Sequence, residues 1–280
     1  MVSTTEQEPK RIPIISFWSD RIAAVKRNKQ LINQLLFLSL TEQYKKTILG
    51  SVWLFIHPLL SIFIWLIMNY SGIYNPGETN IPYVGYILLS MSIWIFFTSF
   101  FKQLATSVTE SGRMLMEAPF EMEAKIAEKV LLNCINFAIP LVLNIIILLA
   151  MGVRFDWSAL LFLPALIPLM LIGISVGVFF SLIEVVFNDI FLIVNQGMNV
   201  LMFLTPVVYT KNVDSEFLQT VIKYNPLSYL IDIPRNLLVG EGVGDLTGYW
   251  IATGIAVVSF IAVIHFFFNS VYKIVERIFE

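Results

Sequence analysis

The sequence predicts an all-α integral membrane protein with six transmembrane helices, an N-terminal amphipathic interface helix and re-entrant half-helices in the last outer loop. Three observations lead to this fold class. The 280 residues are 57% hydrophobic and only 14% charged, whereas soluble domains are roughly 25% charged. Six apolar stretches each have about the length that crosses a bilayer. The basic residues gather on one side of those stretches, as the loops of membrane proteins require.

The six predicted spans contain no Asp, Glu, Lys or Arg. They comprise residues 52–73, 81–101, 130–153, 159–183, 190–210 and 249–268. Only residues 184–189 separate the fourth span from the fifth, so we expect these two spans to form a tight hairpin.

The loops between the spans predict the orientation of the chain. Fourteen Lys and Arg residues lie on the same side as the N-terminus, and four lie on the other side, namely Arg154, Lys211, Lys223 and Arg235. Because basic loops stay in the cytoplasm, we expect both termini to be cytoplasmic.

Two regions outside the predicted spans have sequence patterns that predict further helices. Residues 1–46 form a predicted cytoplasmic tail and an amphipathic interface helix, because basic and apolar residues alternate over 20–46; a plain basic lead-in is the alternative. Residues 47–280 form the predicted six-span domain. Its outer segment 211–247 is apolar but interrupted by Asn225-Pro226 and Pro234, a pattern that predicts short re-entrant half-helices.

The sequence lacks the motifs of an enzyme. There is no G-x-x-x-x-G-K-[ST] loop, so any ATP must be bound by a partner. His57 and His265 lack a second ligand at metal-binding spacing, and Cys134 is the only cysteine. We therefore expect no metal, no cofactor and no catalytic residue in this chain. Spans without charge also argue against an ion-coupled transporter.

Neutral polar residues recur at helical spacing within the spans. Asn133, Asn136 and Asn144 share one face of the third span, and Asn195 and Asn199 share one face of the fifth. Such stripes are typical of hydrogen bonds between packed membrane helices. They are equally compatible with a hydrated path for a polar substrate, and the sequence leaves both interpretations open.

Three sequence blocks carry a family resemblance. Residues 44–60 read YKKTILGSVWLFIHPLL, residues 204–209 read LTPVVY, and residues 224–227 read YNPL. In this order they resemble ABC transporter permeases that export cell-surface polysaccharides, such as O-antigen, capsule and teichoic acid chains. The resemblance extends from about residue 40 to the C-terminus.

The resemblance implies a transport subunit in the bacterial inner (plasma) membrane. Two copies of the chain would pair with two ATPase subunits, which bind ATP and Mg. A lipid-linked polysaccharide or polyol-phosphate polymer, as in lipopolysaccharide assembly, would pass between the two permeases, and no nucleic acid is involved. We expect the first and fifth spans to line the path. Its predicted contacts are Trp65, Asn69, Asn195, Asn199, Met202 and Phe203.

In this family a coupling helix after the second span docks on the ATPase. Residues 111–125 would provide it here, and Asp189 of the hairpin between spans four and five would add to the same surface. The predicted coupling residues are Arg113, Glu117, Phe120, Glu121, Glu123 and Asp189. Two alternatives remain: a permease of the same class for a small lipid, a drug or haem, and an ATP-independent secondary transporter.

Overall fold

The computed structural model describes residues 14–45, 52–79, 81–111, 121–211 and 215–279, and within these ranges it is all helical, without strands. Residues 46–51 of the first family-like block, and the predicted coupling residues Arg113, Glu117 and Phe120, lie outside the described residues. The helices are α1 (Ile14–Arg27), α2 (Lys29–Lys45), α3 (Trp53–Tyr70), α4 (Tyr83–Ala105), α5 (Met122–Ala150), α6 (Phe162–Ala165), α7 (Ile167–Glu184), α8 (Asn188–Phe203), α9 (Glu216–Tyr224), α10 (Pro226–Val239) and α11 (Leu246–Phe279), and a 3₁₀ turn (Trp157–Leu161) leads into α6.

Four helical stretches of the described chain are long and apolar enough to cross a membrane. They are Tyr83–Ala105, Met122–Ala150, Trp157–Glu184 and Leu246–Glu276, and they coincide with predicted spans two, three, four and six. The chain is therefore a multi-pass membrane protein. Predicted spans one and five fall on α3 and α8, which are shorter, with 18 and 16 residues.

The centre of the bundle is the contact between α4 and α7. Over their apolar stretches α4 is 83% buried and the segment containing α7 is 61% buried, whereas α5 and α11 are each 28% buried and lie outside them. Gly173 and Gly177 make the close approach possible, because a Cβ at these positions would lie only 3.1 Å from the Phe97 carbonyl oxygen and 2.7 Å from that of Phe100. This G-x-x-x-G pair brings two membrane helices into backbone contact.

The segment after α8 contains the two short helices α9 and α10. The break that the sequence predicts at Asn225-Pro226 is present: the Asn225 side chain caps α10 by accepting a hydrogen bond from the Leu227 backbone, and proline occupies the first turn. The prediction that Pro234 also interrupts the helix is wrong. Pro234 lies inside α10, which is buried along most of its length and packs on α4, α7 and α11, so tertiary packing outweighs the lost hydrogen bond.

The N-terminal region forms two helices, whereas the sequence predicts a single amphipathic helix. Helices α1 and α2 meet at Asn28, whose backbone N–H donates to the Ala24 carbonyl oxygen. Two aromatic residues near the start of α1 pack against α11. Phe17 contacts the rings of His265 and Phe268, and Trp18 stacks on the ring of Phe260. Helix α2 packs along α5. Aromatic contacts therefore fix the position of α1 beside the last span.

Candidate functional site

The C-terminal ends of α3 and α8 meet through an aromatic cluster. The ring of Trp65 lies 5.7 Å from that of Phe203 and 5.8 Å from that of Tyr74, between ring centroids. The Asn69 side-chain amide donates a hydrogen bond of 3.4 Å to the Tyr74 carbonyl oxygen. Trp65 and Phe203 of the predicted path are thus in contact although 138 positions separate them in sequence, and Asn69 lies one helical turn from Trp65.

The other three predicted path residues lie along α8. Asn199 is exposed, and its amide donates a 2.6 Å hydrogen bond to the side-chain oxygen of Gln196. Asn195 and Met202 are half-buried. Met198 is the one residue of this helix in the buried class, and Phe191, Val194 and Leu201 are partly buried against the core, so one side of α8 packs on the bundle and the other side is exposed.

The exposed surface of α3 and α8 mixes apolar and polar groups. We call it the α3/α8 face. Its apolar members include Leu60, Phe63, Ile64, Ile67, Leu192, Ile193, Val200 and Phe203, which are between 49% and 65% exposed. Gln196 and Asn199 are exposed among them. A helix that is apolar and yet exposed on several sides faces either lipid or another protein surface.

The asparagine stripe of the third predicted span serves packing between helices. Asn133 of α5 donates to the Phe96 carbonyl oxygen of α4 at 3.2 Å, and Asn144 donates to the Ser92 hydroxyl at 2.8 Å. Asn136 donates to the Gln43 side-chain oxygen of α2 at 3.3 Å. Of the two interpretations that the sequence left open, interhelical hydrogen bonding describes this stripe.

The chain after α8 is irregular but its carbonyl groups are satisfied by side chains. Helix α8 ends at Phe203, seven residues before the end of the predicted span, and residues 205–210 are buried, so their carbonyl groups need donors within the chain. The pairs are Tyr209 hydroxyl to Phe203 oxygen at 2.7 Å, Asn225 amide to Leu204 oxygen at 3.1 Å, Arg235 guanidinium to Pro206 oxygen at 3.2 Å, Tyr83 hydroxyl to Val208 oxygen at 3.0 Å, and Tyr86 hydroxyl to Tyr209 oxygen at 2.7 Å. The LTPVVY block is thus anchored to α4 and α10.

Arg235 is a buried cation that sequence reasoning counted only as an outer-loop charge. It is 4% exposed and forms an ion pair with Asp232, which is 3% exposed and also pairs with Lys211. The guanidinium donates to the Ser90 hydroxyl at 3.1 Å and lies 4.2 Å from the ring centroid of Tyr86. The available signal was the i, i+3 spacing of an acid and a base within an otherwise apolar stretch.

At the opposite end of the bundle, polar and charged side chains join the residues that follow α4 to α5 and α7. Lys129 lies 2.9 Å and Lys125 3.6 Å from Glu110, and the Thr109 hydroxyl donates to Glu184 at 2.5 Å. Burial by itself raises the pKa of Glu110, but the hydrogen bond and charge of Lys129, with smaller contributions from Thr106 and Lys125, outweigh it and hold the pKa below its ordinary value. This carboxylate is therefore ionised at neutral pH.

The predicted coupling acids occupy two different environments. Asp189 is exposed in the first turn of α8, where the helix dipole stabilises a negative charge. Glu121 and Glu123 are engaged within the chain: Glu121 pairs with Arg27 and accepts a hydrogen bond from Asn28, and Glu123 pairs with Arg21. Sequence reasoning did not identify Arg21, Arg27 or Asn28 as partners of these acids.

Metal-binding geometry is not found in the part of the chain that the structure describes, since no group of three or more His, Cys, Asp or Glu side chains comes together there. Cys134 is half-buried on α5 and free, next to an apolar cavity of about 310 Å³ between α4, α5, α6 and α7.

Comparison with known proteins places this geometry in a family context. A family model described as "ABC-2 type transporter" matches residues 31–239. The chain is 22% identical over 203 residues to the O-antigen export system permease protein RfbA of Myxococcus xanthus, covering 72% of this chain and 77% of that protein. It is 23% identical over 203 residues to the protein of the same name from Klebsiella pneumoniae, covering 71% of this chain and 76% of the relative.

Proposed function

Because the chain belongs to the ABC-2 type transporter family, whose members are non-catalytic membrane subunits, we propose that it is the permease of an ATP-driven exporter for a lipid-linked polysaccharide or polyol-phosphate polymer. Family membership implies association with an ATPase subunit, which binds ATP and Mg. The O-antigen export permeases among its relatives support the substrate class. The exporter works in the bacterial inner (plasma) membrane, and the polymer is moved without covalent change.

The observation that carries this proposal is the pair of exposed amides on the α3/α8 face. The Asn199 amide donates to Gln196, but two primary amides offer more donors and acceptors than one mutual hydrogen bond uses. In hydrocarbon the remaining groups would lack partners. This face therefore borders a hydrated path, and amides that bond hydroxyl groups beside aromatic rings suit a sugar chain.

A second copy of the chain completes the path. Lipid can cover the apolar side chains of the α3/α8 face but cannot bond the exposed amides of Gln196 and Asn199, and a homodimer with isologous contact would enclose a channel between the two copies. We propose Trp65, Asn69, Asn195, Asn199, Met202 and Phe203 as its contacts.

We propose six crossings with both termini in the cytoplasm. The lengths of α3 and α8 are compatible with two of these crossings. At 1.5 Å per residue α3 and α8 are about 27 Å and 24 Å long, close to the roughly 30 Å hydrocarbon core. The anchored segment 204–210 continues α8 toward the outer surface. The charged end near Glu110, Glu123 and Asp189 then faces the ATPase, where residues 111–125 couple to it.

Reconstitution tests the proposal. The chain and its ATPase are placed in proteoliposomes with a fluorescent lipid-linked glycan, and ATP-dependent translocation is measured. We expect transport only with both subunits, and alanine at Trp65 or Asn199 should lower it without reducing assembly. Alanine at Trp250, an exposed aromatic residue on α11, is the matched control.

Two results contradict the proposal. Translocation by the chain alone, in vesicles free of any ATPase, would identify a secondary transporter. Transport of the free lipid carrier but not of its glycan-bearing form would identify a permease for small lipids. Unchanged export by all six alanine variants would remove the path residues from this assignment.

A further inference from the structure

Arg21 of α1 lies between two aromatic rings and a buried acid. Its guanidinium carbon lies 5.2 Å from the ring centroid of Phe17 and 4.4 Å from that of Phe268 of α11. The two rings are 5% and 8% exposed. The guanidinium forms an ion pair with Glu123 in the first turn of α5, and Glu123 is 4% exposed. One side chain thus contacts three helices.

Further contacts hold the same three elements together. Glu121, immediately before α5, pairs with Arg27 at the end of α1 and accepts a hydrogen bond from Asn28. Tyr272 of α11 borders the same small cavity as Arg21, Glu121 and Glu123. Residues 121–123 are therefore held between α1 on one side and α11 on the other.

The chemistry of this contact requires arginine. A carboxylate as buried as that of Glu123 is stable only beside a cation. The planar guanidinium can stack on two rings while it donates to the carboxylate, whereas an ammonium group has no flat face to stack. The Arg27 pair is more exposed, with 66% of the arginine side chain accessible, and contributes less.

We propose that Arg21 is a positioning residue for energy coupling: it holds residues 121–123 against α1 and α11, so that the three elements move as one body when the ATPase acts on the preceding segment. This inference rests on the proposed function. It assigns Glu121 and Glu123 to contacts inside the permease rather than to the ATPase surface, and it connects the ATPase to the last span through α1.

The test compares Arg21→Ala, Arg21→Lys and the exchanged pair Arg21→Glu/Glu123→Arg in the reconstituted permease–ATPase complex. Polymer translocated per ATP hydrolysed is measured beside subunit co-purification. We expect Arg21→Ala to keep ATP hydrolysis but to lower translocation per ATP about tenfold, a typical size for a coupling effect. Arg21→Lys should lie between Arg21→Ala and the wild type, and the exchanged pair should recover much of the loss. Lys26→Ala, at an exposed cation of the same helix, is the control and should behave as the wild type.

Three outcomes overturn the inference. The first is unchanged translocation per ATP in Arg21→Ala. The second is a loss in Arg21→Ala that Arg21→Lys and the exchanged pair both leave undiminished, since the ion pair with Glu123 would then contribute nothing to coupling. The third outcome applies if Arg21→Ala does not assemble with the ATPase, so that only Arg21→Lys can be measured. In that case, wild-type translocation per ATP in Arg21→Lys overturns the inference. A wild-type complex that hydrolyses ATP without moving polymer contradicts the proposed function instead.

Discussion

The contact between α4 and α7 makes a quantitative prediction for Gly177→Ala. A Cβ at Gly177 would lie 2.7 Å from the Phe100 carbonyl oxygen and 2.8 Å from the Leu104 Cβ. Ordinary contacts begin at 3.4 Å, so the two helix backbones must separate by up to 0.7 Å, the difference between 3.4 Å and 2.7 Å. Overpacking of this kind costs about 1–3 kcal/mol, and the better helix propensity of alanine offsets up to about 1 kcal/mol.

The expected net loss is about 1–2 kcal/mol, which corresponds to a decrease in Tm of about 2–8 °C for a chain of this size. Thermal unfolding in detergent, followed by tryptophan fluorescence and by the monodisperse fraction, measures it. Gly254→Ala on α11 is the matched control, because no atom outside its own helix lies within 4 Å of a Cβ there. Equal Tm values for Gly177→Ala and Gly254→Ala would refute the close α4–α7 contact.

Three further predictions concern the polar contacts. Asn144→Leu should lower the stability of the folded chain by about 0.5–2 kcal/mol, because membrane interhelical hydrogen bonds have this size, and an unchanged Tm would contradict the 2.8 Å bond to α4. Arg235→Met should destabilise more than the double variant Arg235→Met/Asp232→Leu, since the single change leaves a buried carboxylate with Lys211 alone; additive losses in a double-mutant cycle would contradict a buried pair. Glu110 has a lowered pKa, so its stabilisation is complete above the ordinary glutamate pKa of about 4.3 and is lost as pH falls through its lower folded value. The Tm advantage of the wild type over Glu110→Gln should therefore shrink as the pH is lowered below about 4.3, and a constant difference between pH 7 and pH 3 would contradict this.

Much of the architecture could be read from the chain because the membrane imposes a local requirement. A span must be apolar over its whole length, and four of the predicted spans coincide with helices long enough to cross. The break at Asn225-Pro226 could be predicted for a similar reason, since proline acts on its own neighbours. Pro234 shows the limit of such rules: buried side chains on both sides of it hold α10 together.

The candidate site was less predictable because its contacts join distant parts of the chain. Trp65 and Phe203 could be proposed for one path from the family resemblance, but their 5.7 Å separation depends on how α3 and α8 pack. The polar stripes of α5 and α8 look alike in sequence. Only the neighbouring helices show that Asn133 and Asn144 are used for packing while Asn199 is exposed.

By itself, the amino-acid sequence determined the helical membrane class and the transporter family, because apolarity and short motifs are properties of neighbouring residues. Tertiary structure alone decided which charges are buried and with what partners. Arg21 and Glu123 are separated by 102 residues, and Arg235 and Ser90 by 145. Burial of a charge depends on every group that surrounds it in space, and no local pattern records those neighbours.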